Sequence, residues 1–136
     1  SGTRGADRAA ILALLAVLPL LACGSPKEGD KCDTIGFLCL DSANAMECYG
    51  SKWVKLPCKG TNGCKRENDI VRCDMSGNVA GDNCASTAVS RGLCTADGKG
   101  TLECRENGAG EPLTLQKTLD CRTCTVNGDQ VVCTPP

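Results

Sequence analysis

Cysteine constrains this chain more than any other residue type. All 13 cysteines fall between Cys23 and Cys133. The 114 residues from Cys23 onward hold only 18 Ile, Leu, Val and Phe side chains, with one Trp and one Tyr. That is below the ~20% at which a hydrophobic core ceases to be a safe expectation, while the cysteine content exceeds the ~8–10% that marks a disulfide scaffold. Covalent staples therefore have to supply what the core lacks, each closed bridge contributing ~2–4 kcal/mol. The expected fold class is small, disulfide-rich and mostly β, assembled in an oxidising compartment.

Residues 1–22 are set apart from that fold. Arg4 and Arg8 precede an uncharged, apolar run of 14 residues from Ala9 to Ala22. This is the basic and hydrophobic layout of a secretory signal peptide, and it is short of the ~20 residues a permanent span needs. The chain opens on Ser1, so the translation start is expected upstream or elsewhere. The run ends Leu20-Leu21-Ala22-Cys23, which resembles the lipobox of bacterial lipoproteins. That resemblance implies cleavage after Ala22, a diacylglyceryl thioether on Cys23, and acylation, such as by palmitate, of the new amino group. Two or more acyl chains give stable anchoring where one does not. Parity agrees: 13 cysteines are an odd number, and assigning Cys23 to lipid leaves twelve to pair. The competing reading is an ordinary cleaved signal peptide with Cys23 as one more disulfide partner. In lipoproteins of two-membrane bacteria an Asp after the lipidated Cys favours inner-membrane retention; Gly24 here implies the outer membrane, with the chain periplasmic or surface-exposed. Residues 23–28 form a lipidated tether, and the eight residues Gly24 to Lys31 span less than about 30 Å even when extended.

Beyond the tether the sequence repeats. Gly29-Asp30-Lys31-Cys32 recurs as Gly81-Asp82-Asn83-Cys84, each opening a six-cysteine unit. Unit 1, residues 29–76, holds Cys32, Cys39, Cys48, Cys58, Cys64 and Cys73; unit 2, residues 77–136, holds Cys84, Cys94, Cys104, Cys121, Cys124 and Cys133. Further anchors recur in order: Met46-Glu47-Cys48 with Leu102-Glu103-Cys104, and Leu56-Pro57-Cys58 with Leu119-Asp120-Cys121. The pattern predicts tandem duplication, with Asp74 to Ala80 as a loop-like linker and hinge. Within units the signals are short hairpins: Ala45–Cys48 and Lys52–Leu56 around Tyr49-Gly50-Ser51, Cys64–Cys73 around Glu67-Asn68-Asp69, and Cys124–Cys133 around Asn127-Gly128-Asp129. A two-residue Gly128-Asp129 loop places Cys124 opposite Cys133 at a non-hydrogen-bonded site, where side chains are closest. The expectation is a Cys124–Cys133 bridge and, by the same count, Cys64–Cys73. The other four cysteines of each unit allow three pairings.

The remaining residues narrow the chemistry. The chain has no His, which removes the commonest general base and zinc ligand. From Cys23 onward 13 basic and 15 acidic side chains leave a net charge of −2 without long runs, so nucleic acid is not an expected partner. Cys121-Arg122-Thr123-Cys124 is a CxxC, which marks a redox dithiol, half of a zinc site or structural cysteines; without a βαβ context or a second close pair, since Cys58 and Cys64 have five residues between them, the structural reading is preferred and no metal or cofactor is expected. Asp41, Glu47, Asp97 and Glu103 are candidate paired carboxylates, weighed against ordinary surface charge. Tyr49 and Trp53 share one predicted hairpin and are either core packing or a surface for a protein or glycan ligand. Residues 106–117 replace the shorter tip Tyr49–Lys52 of unit 1 and are expected to be an exposed loop.

Taken together, the lipobox, the G-D-x-C units and the Trp-bearing hairpin resemble cysteine-rich surface lipoproteins of myxobacterial type. The resemblance implies no defined activity. The expected role is a membrane-anchored, non-enzymatic binding or envelope-structural module. The alternatives are a protease-inhibitor-like or toxin-like module using loop 106–117, and a thiol-disulfide protein using residues 121–124.

Overall fold

The computed structural model describes residues 24–89 and 91–136; Cys23 and the leader lie outside the described residues. Unit 1 contains a three-stranded antiparallel sheet, β1 (Phe37–Asp41), β2 (Asn44–Tyr49) and β3 (Lys52–Pro57), followed by the hairpin β4 (Cys64–Glu67) and β5 (Ile70–Cys73). After a short 3₁₀ turn at Ser86–Ala88, unit 2 repeats the plan: β6 (Gly92–Cys94), β7 (Gly100–Arg105) and β8 (Thr114–Asp120) form one sheet, and β9 (Thr123–Asn127) and β10 (Gln130–Thr134) a hairpin. The small, disulfide-rich, mostly β fold with two tandem six-cysteine units is the one expected.

Turn chemistry explains the hairpins. The β2–β3 turn is Gly50-Ser51 and the β4–β5 turn is Asn68-Asp69, and all four residues have positive φ. This is the backbone of a type I′ turn, whose twist matches that of paired strands. In the β9–β10 turn only the first central residue, Gly128, takes positive φ.

The repeated G-D-x-C motif has a structural job, performed identically twice. In unit 1 the amide of Gly29 donates to the Trp53 carbonyl at 2.8 Å, the Trp53 amide to Asp30 at 2.8 Å and the Cys32 amide to Ser51 at 3.0 Å. In unit 2 Gly81 donates to Leu115 at 2.8 Å, Leu115 to Asp82 at 2.9 Å and Cys84 to Leu113 at 3.0 Å. Each motif thus covers the open edge of its sheet, β3 or β8, which would otherwise present unpaired backbone groups. The Asp carboxylate closes the preceding turn, accepting from the Lys27 amide in one unit and the Val79 amide in the other, both at 3.0 Å. Gly29 and Gly81 hold φ of 87° and 92°, a region closed to most side chains. Hydrogen bonding therefore begins at Lys27, inside the stretch expected to be tether.

All twelve cysteines of the two units are bridged, in the same order in each: first to third, second to fifth, fourth to sixth. The pairs are Cys32–Cys48, Cys39–Cys64 and Cys58–Cys73, then Cys84–Cys104, Cys94–Cys124 and Cys121–Cys133. This corrects the expected Cys64–Cys73 and Cys124–Cys133 bridges. The register behind that expectation is right, since Cys64 faces Cys73 and Cys124 faces Cys133 across their hairpins. Each sulfur instead bonds away from the hairpin. A rung between adjacent strands would reinforce a hairpin already closed by its turn, whereas two outward bridges fasten that hairpin to the three-stranded sheet and close longer loops.

The two units pack through a shared core. Ala45, Val54 and Leu56 from one face of the unit 1 sheet meet Cys84, Ala85 and Ala88, with Leu102, Cys104 and Leu115 from unit 2. Polar pins surround it. Glu47, 4% exposed, accepts from the Ser86 amide at 3.0 Å and from the Ser86 hydroxyl. Asn83 donates to the Lys55 carbonyl at 3.0 Å, and Lys59 pairs with Asp82 at 2.8 Å. The Asp74–Ala80 linker is not the expected hinge. Asn78, 1% exposed, accepts from the Lys59 amide at 3.0 Å and donates to the Pro57 carbonyl at 2.7 Å. A Cβ on Gly77 would stand 2.5 Å from the Lys59 carbonyl oxygen, so glycine lets the linker lie against unit 1.

Candidate functional site

The docking of two similar units leaves a cleft of about 470 Å³ between them, within the size range of small-ligand sites. Its walls combine Phe37 of β1, Val71 of β5 and Met75 of the linker with Ala85, Ala88 and Leu93 of unit 2. The tips of the two hairpins stand over it, bringing Ile70 from unit 1 and Val126 and Asp129 from unit 2. Ile70 and Val126 are more than half exposed, an unusual placement for aliphatic side chains in a chain so short of them. Arg72 and Arg91 add two guanidinium groups to the lining.

Of the two carboxylates in the lining, Asp74 and Asp129, Asp74 has its lone pairs committed. Asp74 accepts from the Ser76 hydroxyl at 2.7 Å, the Ser76 amide at 3.0 Å and the Asn62 amide at 3.1 Å. The Ser76 hydroxyl above all, with these amides, holds its pKa below the ordinary aspartate value against the opposing effect of burial. Asp74 therefore stays charged and ties the linker to the 60–63 loop. Toward an incoming ligand the cleft presents apolar walls, the guanidinium groups of Arg91 and of Arg72, whose Nε lies 3.8 Å from Glu67, and the carboxylate of Asp129.

The residues singled out from sequence lie elsewhere. Tyr49 and Trp53 share the β2–β3 hairpin but fall on opposite faces of its sheet: Trp53 sits opposite Cys48, while Tyr49 shares the alternate face with Glu47 and packs against the core. They make no common aromatic surface. Residues 106–117 are not one exposed loop either. Thr114–Lys117 belong to β8, and Leu113 and Leu115 are buried; alternation along a strand puts them in the core while the tip around 106–111 stays in solvent. Asn107 shapes that tip by donating to the Pro112 carbonyl at 3.0 Å and to Thr114 Oγ1 at 2.8 Å, and by accepting from Gln116 at 2.9 Å.

The candidate carboxylates each serve structure, Glu47 across the junction of the units and the other three within their own turns or strands. Asp41 accepts from the Ala43 amide at 2.8 Å, Asp97 from Thr95 at 2.5 Å and the Lys99 amide at 2.9 Å, Glu47 from Ser86, and Glu103 from Arg105 at 2.7 Å. The two cysteines of the CxxC are not bonded to each other. Cys121 joins Cys133 and Cys124 joins Cys94, and both are buried.

Sequence reasoning missed the cleft because it is made by two segments about 55 residues apart, whose approach depends on how the units dock. The available signal was Ile70 and Val126 beside hairpin turns, where polar residues are usual. Comparison with protein-family models, curated proteins and solved structures found no match to this chain.

Proposed function

We propose that this chain is a membrane-anchored, non-enzymatic binding module, held by lipid on Cys23 at the outer membrane and taking its ligand in the cleft between the units. The observation that carries the reading is the cleft itself: apolar walls, two exposed aliphatic side chains on its rim and two arginines in its lining. Such a site suits a ligand with an apolar body and an anionic group, presented by a protein or a glycan-bearing molecule. The lipobox-like Leu20-Leu21-Ala22-Cys23 supports the anchor, as does the closure of the other twelve cysteines into bridges without it. The same closure supports a structural role for Cys121 and Cys124, since a redox dithiol cycles a bond between its own two sulfurs.

Anilinonaphthalene sulfonate, an aromatic anion, is a direct probe. Saturable binding at one site is expected, weakened about ten-fold or more by Arg91→Glu or Ile70→Asp, a loss of about 1.4 kcal/mol. Unsaturable binding, or binding indifferent to both substitutions, would remove the cleft from the proposal. Intact mass of detergent-extracted protein, starting at Cys23 with added acyl chains, tests the anchor separately. A second reading rests on the shape Asn107 imposes on the 106–111 tip: a pre-shaped exposed loop is suited to enter a partner's site. Loss of ligand binding on Asn107→Ala, with the cleft variants unaffected, would favour it.

A further inference from the structure

Three asparagines in the chain are followed by glycine: Asn62-Gly63, Asn107-Gly108 and Asn127-Gly128. Such a pair rearranges without a catalyst, because glycine has no side chain to obstruct approach to its own nitrogen. The glycine nitrogen gives up its proton to solvent and attacks the asparagine Cγ. A bond from Cγ to that nitrogen forms, the bond to Nδ2 breaks, and Nδ2 leaves as ammonia. Water then opens the succinimide at Cγ, leaving aspartate, or at the main-chain carbonyl carbon, leaving isoaspartate. The ring closes only if the side-chain amide turns back onto the next nitrogen and that nitrogen is not held elsewhere. The fold treats the three pairs differently on both counts.

At Asn62 the nucleophile is held. The Gly63 amide donates to the Gly60 carbonyl at 3.0 Å, the Gly63 carbonyl accepts from the Asp74 amide at 2.8 Å, and the Asn62 amide donates to the Asp74 carboxylate at 3.1 Å. A Cβ on Gly63 would collide with the Ser42 carbonyl, so this peptide has no room to turn. At Asn107 the side chain is held. Its nitrogen donates to Pro112 and Thr114 and its oxygen accepts from Gln116, and turning onto Gly108 would give up all three bonds.

Asn127 has neither restraint. It is exposed, and among the described residues neither its side chain nor the Gly128 amide makes a hydrogen bond. A Cβ on Gly128 would meet nothing within 4 Å. Asn127 pairs with Gln130 in the last rung before the turn, and the bridges from Cys124 and Cys133 hold the opposite end of the hairpin. That rung opens locally at a small fraction of the cost of unfolding.

We propose that Asn127-Gly128 is a site of spontaneous modification, at which the folded protein turns asparagine into aspartate and isoaspartate and so adds negative charge to the hairpin tip over the cleft. Val126, Gly128 and Asp129 line the cleft. The new carboxylate therefore joins that of Asp129, and the isoaspartyl form lengthens the main chain by one methylene between two lining residues. Its effect on an anionic ligand rests on the cleft being the binding site.

The three pairs fall on separate tryptic peptides, residues 60–65, residues 106–117 and the peptide starting at Thr123. Mass spectrometry therefore reads each one by the replacement of NH with O, and chromatography separates the two products. Detergent-extracted protein with its bridges closed is aged in neutral buffer at physiological temperature beside the reduced and alkylated chain. In the folded protein the peptide from Thr123 is expected to convert about ten-fold faster than the other two, while all three convert at similar rates in the unfolded chain. Asn127→Gln, which would need a larger ring, stays unmodified, and Gln116→Ala speeds conversion of Asn107. Equal rates in the folded protein, or an Asn127 that reacts only after reduction, overturn the proposal. Anilinonaphthalene sulfonate is expected to bind the aged protein and Asn127→Asp about two-fold more weakly than unaged protein. Conversion with unchanged dye affinity overturns the link to the cleft and upholds the modification site; a dye that fails to bind even unaged protein removes the cleft reading, while the peptide map still decides the modification.

Discussion

The two units share a cysteine order, a disulfide order, an edge-covering motif and one apolar sheet face, Leu38, Met46 and Trp53 in unit 1 and Leu93, Leu102 and Leu115 in unit 2, yet only unit 1 is apolar on the other face as well. On the face that unit 1 turns toward unit 2, the sequence reads Phe37, Ala45, Val54 and Leu56; the same positions of unit 2 read Gly92, Thr101, Gln116 and Leu119. Leu56 is 0% exposed and Leu119 57%. The duplicated scaffold accepts either an apolar or a polar second face, because its bridges hold it in both cases. What differs is the covering: unit 2 packs on this face of unit 1, whereas the same face of unit 2 leaves Leu119 in solvent. Stability from disulfides is thus common to both units, and stability from apolar burial is concentrated at their junction.

Substitution at matched positions should separate these contributions. Leu56→Ala empties a fully buried site at the junction and is expected to cost about 2–5 kcal/mol. Leu119→Ala, the same repeat position in unit 2, should stay within about 0.5 kcal/mol of wild type. Urea unfolding with the bridges intact reads both. Equal losses would show that the second unit's face is covered after all, and would break the contrast.

A smaller difference is expected at the repeated glutamate. Glu47 is buried and accepts from Ser86 across the junction, whereas Glu103 pairs with Arg105 in solvent. Glu47→Ala leaves the Ser86 amide without its partner and should cost about 1–3 kcal/mol; Glu103→Ala should cost under about 1 kcal/mol. Hydrogen exchange at the Ser86 amide, expected to speed up in Glu47→Ala alone, identifies the lost contact as the cause.

How much of this was legible in the sequence follows from the range over which each feature is decided. Hairpins are set by adjacent turn residues and strand alternation, so β2–β3, β4–β5 and β9–β10 were read with nearly the right bounds, and the facing of Cys64 with Cys73 and Cys124 with Cys133 was read from the register. Disulfide partners depend on where a hairpin face points in the assembled unit, and local register cannot supply that. The linker was misread for a related reason: Gly77 and Asn78 look like flexible loop residues, but here the missing Cβ admits the Lys59 carbonyl and the amide side chain replaces backbone partners. In the 106–117 segment an expanded tip hid the return of strand alternation at Leu113 and Leu115. The cleft was illegible in sequence, because it forms only where two similar units dock.

The smallest expected effect tests where the units ought to behave alike. Asp41 and Asp97 occupy corresponding turns, before β2 and before β7, and each closes its turn by accepting local hydrogen bonds. Chiefly the Ala43 amide holds Asp41, and chiefly the Thr95 hydroxyl holds Asp97, below the ordinary aspartate pKa. A carboxylate whose pKa is depressed by folding adds stability that is fully present above its unfolded value, about 4, and is lost as pH falls through the lower folded value. Both turns should therefore hold at neutral pH and loosen only in strong acid, with little cost to the whole because both groups are exposed. The Ala43 and Lys99 amide resonances should titrate with midpoints below about 4, and Asp41→Asn and Asp97→Asn should each erase the titration in their own turn alone. A midpoint at or above the ordinary range in either turn would mean that its carboxylate is not the closing acceptor, and the equivalence of the two turns would fail even though the cysteine framework around them is the same.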